Sequence, residues 1–188
     1  MPPFTVHTEA SAPAGSKPII GQVEARFGRL PNLMATLAES PAAIEAYFTL
    51  MGIYEKSDLA PTEKQVVLMT NNRLNNCTYC MAAHSAVSKS QGVSDDVIAA
   101  LRSGATLEDA KLEALRTFTE RVFETRGDVS ESDIDAFLSA GYTKANILEV
   151  VLGTALKVLS NYSNKFTQTP VDGPFQPFAW SPQQAAGV

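Results

Sequence analysis

Residues 61–90, PTEKQVVLMTNNRLNNCTYCMAAHSAVSKS, decide the fold of this chain. Pro61 stands where a first-turn proline is tolerated, and apolar residues at helical spacing follow it to about Asn75. A second helix-forming stretch begins at Cys77, with Asn76 as its predicted N-cap, and runs to the end of the segment. The segment therefore predicts two consecutive helices joined by a very short turn, with both cysteines of the chain at the start of the second helix.

The flanking sequence continues the same helical pattern. Gly92, Gly104, Gly127 and Gly141 follow periodic apolar segments as stop signals. The helices predicted outside residues 61–90 run from Pro41 to about Met51, from Ser94 to Gly104, from Leu107 to Arg126, from Ser130 to Ala140 and from Thr143 to about Phe166. The last is the longest, and its apolar stripe predicts the central helix of the core. That stripe consists of Ile147, Leu148, Val151, Leu152, Ala155, Leu159 and Tyr162.

The sequence predicts an all-α fold with one domain. We find no convincing period-two alternation with hairpin turns and no glycine-rich phosphate loop after a strand. A length of 188 residues is typical of a single domain. We place a multi-helix bundle at residues 18–169, between an extended arm at 1–17 and a proline-rich tail at 170–188. Phe175, Phe178 and Trp180 make the tail too apolar to stay in solvent, so we expect it to pack on the domain or on a neighbouring subunit.

Charge and composition argue against several classes of protein. The chain has 15 Lys and Arg against 20 Asp and Glu, a net charge of −5, so it has no excess of cations for nucleic acid or an anionic membrane surface. The sequence shows neither a secretory signal pattern nor an apolar run of about 18 residues. We expect a cytoplasmic protein that binds neither nucleic acid nor a membrane.

Cys77, Cys80 and His84 form the candidate site. On a helix of about 100° per residue they fall at about 0°, −60° and −20°, so they share one sector of its surface. The helix N-terminus favours a thiolate and lowers the pKa of a thiol placed there. His84 can accept the Cys80 proton or stabilise its anion. A peroxide attacked by one sulfur would give a sulfenic acid, which condenses with the other sulfur to a disulfide.

Two other interpretations of this cluster stay open. Cysteines and histidines on an apolar helix face often serve packing alone. A zinc site is the second interpretation, because two thiolates and an imidazole are three good ligands. A structural zinc site needs a fourth ligand, and the only other histidine is His7, in the arm. Redox or metal chemistry is favoured over packing, because the two cysteines of this chain lie three residues apart with a histidine after them. Redox chemistry ranks first, and an open catalytic zinc site ranks second.

The motif block at residues 59–104 resembles the alkylhydroperoxidase D-like branch of the carboxymuconolactone decarboxylase family. The resemblance rests on LxPxExQVV at 59–67, on NNCTYCMAAH at 75–84 and on the GVS break at 92–94 before another helix. Asn161-Tyr162 and Thr169-Pro170 are also similar to the end of the peroxidase-related members, so the likeness covers most of the chain.

This resemblance implies an all-helical subunit that assembles into a homo-oligomer, a dimer, trimer or hexamer, and that uses neither metal nor haem. By motif position, it makes Cys80 the thiol that attacks the peroxide, Cys77 the resolving thiol and His84 part of a proton relay. It implies hydroperoxides as substrates and an external dithiol or disulfide reductase as the electron donor. The residues alone do not decide which sulfur attacks.

One position departs from the family pattern. The family has a glutamate as proton acceptor twelve residues before the first cysteine, and here that position is Gln65, whose amide cannot take a proton as a carboxylate does. Other candidate relay groups are Glu63, which also fits a first-turn acid of its helix, Tyr79 between the cysteines, and Glu149 in the long apolar helix.

The sequence thus predicts a thiol-dependent peroxidase of the alkylhydroperoxidase type. The alternatives are a lactone decarboxylase, the activity that names the wider family, and a non-catalytic, redox-sensing oligomer in which Gln65 marks the loss of the proton acceptor. The natural oxidant, the reductant and the number of subunits do not follow from the sequence.

Overall fold

The computed structural model describes residues 4–182, which form nine α-helices and two short 3₁₀ helices and contain no β-strand. The predicted all-α fold is therefore confirmed. The helices are α1 (Lys17–Phe27), α2 (Asn32–Leu37), α3 (Pro41–Tyr54), α4 (Pro61–Leu74), α5 (Thr78–Ser90), α6 (Asp95–Ser103), α7 (Ala110–Thr125), α8 (Glu131–Ser139) and α9 (Lys144–Thr167), with 3₁₀ helices at Ala14–Ser16 and Gly173–Phe178. The first three residues of the predicted arm and the last six of the predicted tail lie outside the described residues.

Side-chain caps fix where several of these helices begin. Ser40, Ser94, Ser130 and Thr143 each accept a hydrogen bond from a backbone N–H of the first turn that they precede. Each cap satisfies a donor that the helix itself leaves unpaired. The helix starts predicted at these positions are confirmed.

Helix α4 lies at the centre of the bundle and packs against α5, α6, α7 and α9. The closest approach of α9 is at Gly153, where a Cβ atom would lie 2.8 Å from Val67 Cγ1 and 2.9 Å from Tyr54 Cε2. A real side chain cannot approach that closely, so glycine lets α9 sit directly on α3 and α4.

The buried apolar residues form two clusters, one on each side of α4. One cluster is built on α4, α7 and α8, and it contains Leu115 and the stacked rings of Phe118 and Phe137. The other is built on α1, α2, α3 and α5, and it includes Cys77 and Cys80. The two cysteines are therefore part of the second core.

The chain after α9 packs along α5 and α6. Trp180 is buried, and its Nε1 donates to the Arg102 carbonyl at 3.1 Å. The Arg102 guanidinium in turn donates to the carbonyls of Phe178 and Ala179 at 2.9 and 3.0 Å. These bonds fix the second 3₁₀ helix beside α5.

Helix α9 differs from its prediction in the direction of its apolar stripe. Of the predicted core stripe, Leu148, Val151 and Tyr162 are exposed, at 70%, 46% and 50%. Lys157 and Asn161 are fully buried instead. The periodicity located the helix correctly but assigned its inward face wrongly, because buried polar partners on α4 and α5 satisfy the polar side.

No helix within residues 4–182 is both long and apolar enough to span a bilayer.

Candidate functional site

The first turn of α5 places the two cysteines. Asn76 takes a left-handed conformation (φ 50°), which Asn tolerates better than most residues, and joins α4 to α5. Cys77, with φ −90° and ψ 96°, is the N-cap of α5, so the predicted cap at Asn76 is wrong by one residue. The left-handed backbone of Asn76 completes the turn after α4 and leaves the extended cap position to Cys77. Cys80 follows within the first turn.

One amide of α9 brings the two sulfurs together. Asn164 Nδ2 lies 3.2 Å from Cys80 Sγ and 3.6 Å from Cys77 Sγ. Both thiols are free; Cys80 is 1% exposed and Cys77 is 3% exposed. A single donor thus contacts both sulfurs in a region that water hardly reaches.

The two thiols differ in acidity. Burial alone would raise the pKa of Cys80, but the hydrogen bond from Cys77, the charge of Lys157 and hydrogen bonds from Asn161 and Ser160 together lower it to about 6. The hydrogen bond with Cys80 and burial raise the pKa of Cys77. At neutral pH the pair therefore consists of a Cys80 thiolate and a Cys77 thiol.

His84 lies one turn beyond Cys80 and is held between two polar side chains. Its Nδ1 is 2.9 Å from Gln65 Oε1, and its Nε2 is 3.1 Å from Lys157 Nζ. Gln65 Nε2 donates to Gln91 Oε1 at 3.1 Å, so the carbonyl oxygen of Gln65 faces the imidazole. Nδ1 therefore donates, and Nε2 accepts from the ammonium. Burial and then the charge of Lys157 hold the pKa of His84 well below its usual value, which keeps the ring neutral.

The structure brings Gln65 to the site, but as a tether. Its side-chain oxygen accepts from His84 and fixes the ring orientation. Within residues 4–182 no hydrogen bond joins His84 directly to either sulfur; its other ring nitrogen contacts Lys157. At the position where the resemblance implies a glutamate, Gln65 thus makes a positioning contact and cannot take a proton as a carboxylate does.

Tyr79 fastens the cysteine turn to the chain after α9. Its hydroxyl donates to Asp172 Oδ2 at 2.6 Å and accepts from the backbone N–H of Leu33 at 3.1 Å. Asp172 is itself buried and also paired with Arg29. Burial and the hydrogen bond to Asp172 raise the pKa of Tyr79, so the hydroxyl keeps its proton.

The two candidate glutamates lie elsewhere. Glu63 accepts from the backbone N–H of Ala60 at 2.8 Å and pairs with Lys111 at 3.0 Å, as a first-turn acid of α4. Glu149 accepts from the Asp58 backbone N–H at 2.7 Å and from Asn146 at 2.8 Å. Neither carboxylate is hydrogen-bonded to a thiol or to the imidazole in the described part of the chain.

A cavity of about 340 Å³ opens beside the cysteine turn. Cys77 and Asn164 line it, whereas Cys80 lies behind them and does not. The other lining residues are Asn76, Thr78, Tyr79, Asn161, Lys165, Gln168 and Thr169. A small molecule therefore meets Cys77 first and has Asn164 at its side.

The structure does not assemble the ligand set that zinc would need from this cluster. Both ring nitrogens of His84 have partners, and one of them is an ammonium, which repels a cation. Across residues 4–182 no three His, Cys, Asp or Glu side chains are grouped as metal ligands. His7, the other histidine, bonds to Ser11 and Glu39.

The buried polar side chains that α9 brings to the site were not predicted from the sequence. Lys157, Ser160, Asn161 and Asn164 recur at steps of three and four residues, and all four are buried. The signal was present in the sequence as a polar stripe of helical spacing on an otherwise apolar helix. The apolar residues of the same helix were given more weight.

Comparison with known proteins agrees with the resemblance seen in the motifs. The model of the carboxymuconolactone decarboxylase family matches residues 38–120, which include α4, α5 and the cysteine pair. No curated protein sequence matches the chain significantly.

Solved structures with the same fold cover nearly the whole chain. The alkylhydroperoxidase AhpD core, an uncharacterized peroxidase-related protein from Ralstonia eutropha JMP134, is 24% identical with a TM-score of 0.77, over 92% of this chain and 93% of that one. An uncharacterized peroxidase-related protein from Silicibacter sp. TM1040 is 17% identical with a TM-score of 0.77, over 93% and 94%. The debrominase Bmp8, as a Cys→Ala variant in complex with 2,3,4-tribromopyrrole, is 17% identical with a TM-score of 0.73, over 93% and 94%.

These identities show a shared fold, and the match to the family model covers the segment that carries the cysteines. Residues 38–120 match the model of the carboxymuconolactone decarboxylase family, within a chain that has the all-α fold of the alkylhydroperoxidase AhpD core.

Proposed function

We propose that this protein is a thiol-dependent peroxidase that reduces hydroperoxides through a disulfide between Cys77 and Cys80. The observation that supports it most is the pair of buried free thiols of opposite acidity beneath the amide of Asn164. A thiolate is the nucleophilic form of cysteine, and a neighbouring thiol can resolve the sulfenic acid that forms.

The reaction proceeds in two steps. The peroxide enters by the cavity and must pass Cys77 and Asn164 to reach Cys80, whose sulfur lies 3.2 Å from Asn164 Nδ2. Cys80 Sγ attacks one peroxide oxygen, so that an S–O bond forms and the O–O bond breaks. The leaving alkoxide takes a proton that the hydrogen-bonded pair of His84 and Lys157 can supply. Cys77 then attacks the sulfenic acid, an S–S bond forms, the S–O bond breaks and water leaves. Two thiols are oxidised for each hydroperoxide reduced to an alcohol.

Regeneration begins at Cys77. Cys77 lines the cavity and Cys80 does not, so we expect an external dithiol to attack Cys77 and to expel Cys80. The thiol of lower pKa is the better leaving group in thiol–disulfide exchange, and that thiol is Cys80. The electron donor is therefore a small dithiol or the exposed dithiol of a disulfide reductase.

The experiment is a titration of the reduced protein with an alkyl hydroperoxide, with thiol counting and mass spectrometry. One equivalent should convert both thiols into one Cys77–Cys80 disulfide. Cys77→Ser should still lose its one thiol, to a sulfenic acid that a trapping reagent captures. Cys80→Ser should show no thiol loss on the time scale of the wild-type reaction. Untouched thiols in the wild type, or unchanged turnover in Cys80→Ser, would contradict the proposal; turnover of a lactone by Cys80→Ser would favour a decarboxylase.

A second candidate is reductive dehalogenation by the same thiol pair. The debrominase Bmp8 shares the fold over 93% of this chain, and the cavity beside Cys77 is of a size for a small ring. Two thiols and one aryl bromide would give a disulfide, the hydrogen-substituted ring, bromide and a proton. The thiol titration repeated with 2,3,4-tribromopyrrole, with bromide measured, distinguishes the two oxidants.

The protein is further proposed to act as a homo-oligomer. The outward stripe of α9, here the exposed residues Leu148, Val151, Tyr162 and Phe166, runs along the whole helix. It borders an apolar groove of about 750 Å³ between α7 and α9. An apolar surface of this extent is typical of a contact between subunits.

A further inference from the structure

The charge of the buried lysine of α9 needs a group that balances it. Lys157 has no exposed surface, and burial of an ammonium is costly unless it interacts with an opposite charge or with strong acceptors. Its Nζ lies 3.1 Å from His84 Nε2, a neutral acceptor. A buried cation with a neutral acceptor as its hydrogen-bond partner points to an anion nearby.

Helix packing places that anion at Cys80. Along α5, His84 follows Cys80 by one helical turn, and along α9, Lys157 precedes Asn164 by about two. Asn164 contacts the Cys80 sulfur at 3.2 Å, and Lys157 contacts His84, so the two helices run side by side through the site. The ammonium and the sulfur therefore face the same seam between α5 and α9.

His84 cannot supply the positive charge itself. Its Nδ1 proton is directed at the Gln65 oxygen, and its Nε2 lone pair is directed at the Lys157 ammonium. A second proton on the ring would have to sit at Nε2, against a cation at 3.1 Å. The imidazole is therefore an acceptor that holds Lys157 in place.

We propose that Lys157, and not His84, carries the positive charge that stabilises the Cys80 thiolate, and that His84 and Gln65 position Lys157. This inference rests on the proposed function and extends it: the cation on α9 takes over the electrostatic part of the relay at a site whose family glutamate is replaced by Gln65. Lys157 acts on the sulfur through its charge and needs no contact with it, whereas His84 and Gln65 are positioning residues.

Other ionisable groups around Cys80 do not supply this charge. Tyr47 of α3 and Tyr79 of α5 are buried, and burial raises the pKa of both hydroxyls, so they stay neutral. Cys77 keeps its proton, and Asp172 is bonded to Tyr79 and paired with Arg29. Lys165 is exposed and donates to the Asn76 carbonyl at 3.2 Å.

The test compares Lys157→Met with Lys144→Met, which removes the same charge from the exposed first turn of α9. The ultraviolet absorbance of the thiolate is followed against pH in the absence of peroxide, with Cys80→Ser as the blank. Lys157→Met should move the Cys80 midpoint upward by about one unit or more, which lowers the thiolate fraction at pH 5 about tenfold. Lys144→Met should leave the midpoint in place. An unchanged midpoint in folded Lys157→Met would overturn the inference.

His84→Gln keeps the test decisive if Lys157→Met does not fold. This variant retains the ammonium, so the Cys80 midpoint should stay well below that of an ordinary cysteine. A midpoint that rises to the ordinary value on loss of His84 would make the imidazole the charge-bearing group and would overturn the inference. The pH titration uses no peroxide, so it tests the role of Lys157 separately from the proposed peroxidase activity. A protein that never forms the disulfide could still show a midpoint that depends on Lys157.

Discussion

Helix α9 buries a polar face and exposes an apolar face, which is the reverse of an ordinary surface helix. The face toward α4 and α5 carries Lys157, Asn161 and Asn164, all at least nine-tenths buried. The face toward solvent carries Leu148 and Phe166, which are 70% and 72% exposed. An ordinary helix on the surface of a bundle buries its apolar stripe and exposes its polar one.

This inversion separates what α9 does for stability from what it does for function. Buried polar groups are stable when they are hydrogen-bonded, and here Lys157 bonds to His84, Asn161 to Asn72 of α4 and Asn164 to the sulfurs. The apolar contribution of α9 to the core comes from a few positions such as Val150, Leu156 and the close contact at Gly153. The inner face therefore contacts the two sulfurs and the imidazole, and the outer face is the surface that we propose for self-association.

The outer face should give the largest effect. Leu148→Glu with Phe166→Glu should weaken self-association by at least about 100-fold, because burial of each large apolar side chain is worth about 1.5 to 3 kcal/mol. Sedimentation velocity across a range of concentrations measures the change in mass. Ala145→Glu is the matched control, because Ala145 is exposed at the start of the same helix but points to one side of the stripe. A monomeric wild type, or a double variant with unchanged mass, would contradict the prediction.

The inner face should give the next largest effect, and on rate. Asn164→Asp keeps the shape of the side chain but replaces the donor beside both sulfurs with an anion. A hydrogen bond to a charged group is worth about 1.5 to 3 kcal/mol, so peroxide-driven thiol loss should slow by about 10- to 100-fold. Ser163→Asp adds the same charge at the neighbouring residue and should change the rate little. Equal rates in wild type and Asn164→Asp would remove Asn164 from the site.

The sequence predicted the elements of the fold well, because local signals decide them. Ser94 and Gly104 mark both ends of α6, and Ser94 is a cap in the structure as its position suggested. The inward face of α9 was predicted wrongly because periodicity reports which residues share a face, not whether that face meets core or solvent. The polar partners that make Lys157 tolerable, such as His84, lie more than 70 residues away in sequence and become visible only in the fold.

The candidate site was predicted where it depends on one helix and missed where it depends on two. Cys77, Cys80 and His84 lie within eight residues of α5 and its cap, so their clustering follows from helical geometry. The contacts of Asn164 and Lys157 require the packing of α9 on α5; the polar stripe of α9 is a local signal, but it does not identify α5 as the partner. The same limit left Glu63 and Glu149 as relay candidates, although each has partners remote from the sulfurs.

A smaller effect is expected where the two faces of α9 meet the core. Gly153→Ala places a Cβ within 3.0 Å of Val67 and Tyr54, and such overpacking should lower the free energy of unfolding by about 1 to 3 kcal/mol. Denaturant unfolding measures it. Gly21→Ala is the matched control, since this helical glycine has nothing within 4 Å of a new Cβ and the exchange should stabilise α1 by about 0.5 to 1 kcal/mol. Equal stability in the two variants would show that α9 is not packed this closely.

The smallest change is in the pH dependence of the wild type. With the pKa of Cys80 at about 6, the thiolate is lost as the pH falls through that value, so the rate of thiol loss to a hydroperoxide should rise about tenfold from pH 5 to pH 7 and then level off. Stopped-flow thiol assays with a hydroperoxide that does not ionise in this range give the midpoint. The outer-face variants should share that midpoint, since they change no charge near the sulfur, whereas Asn164→Asp should raise it. A rate that continues to climb through pH 8 would mean that the inner face of α9 does not acidify Cys80, and the contrast between the two faces would then concern assembly alone.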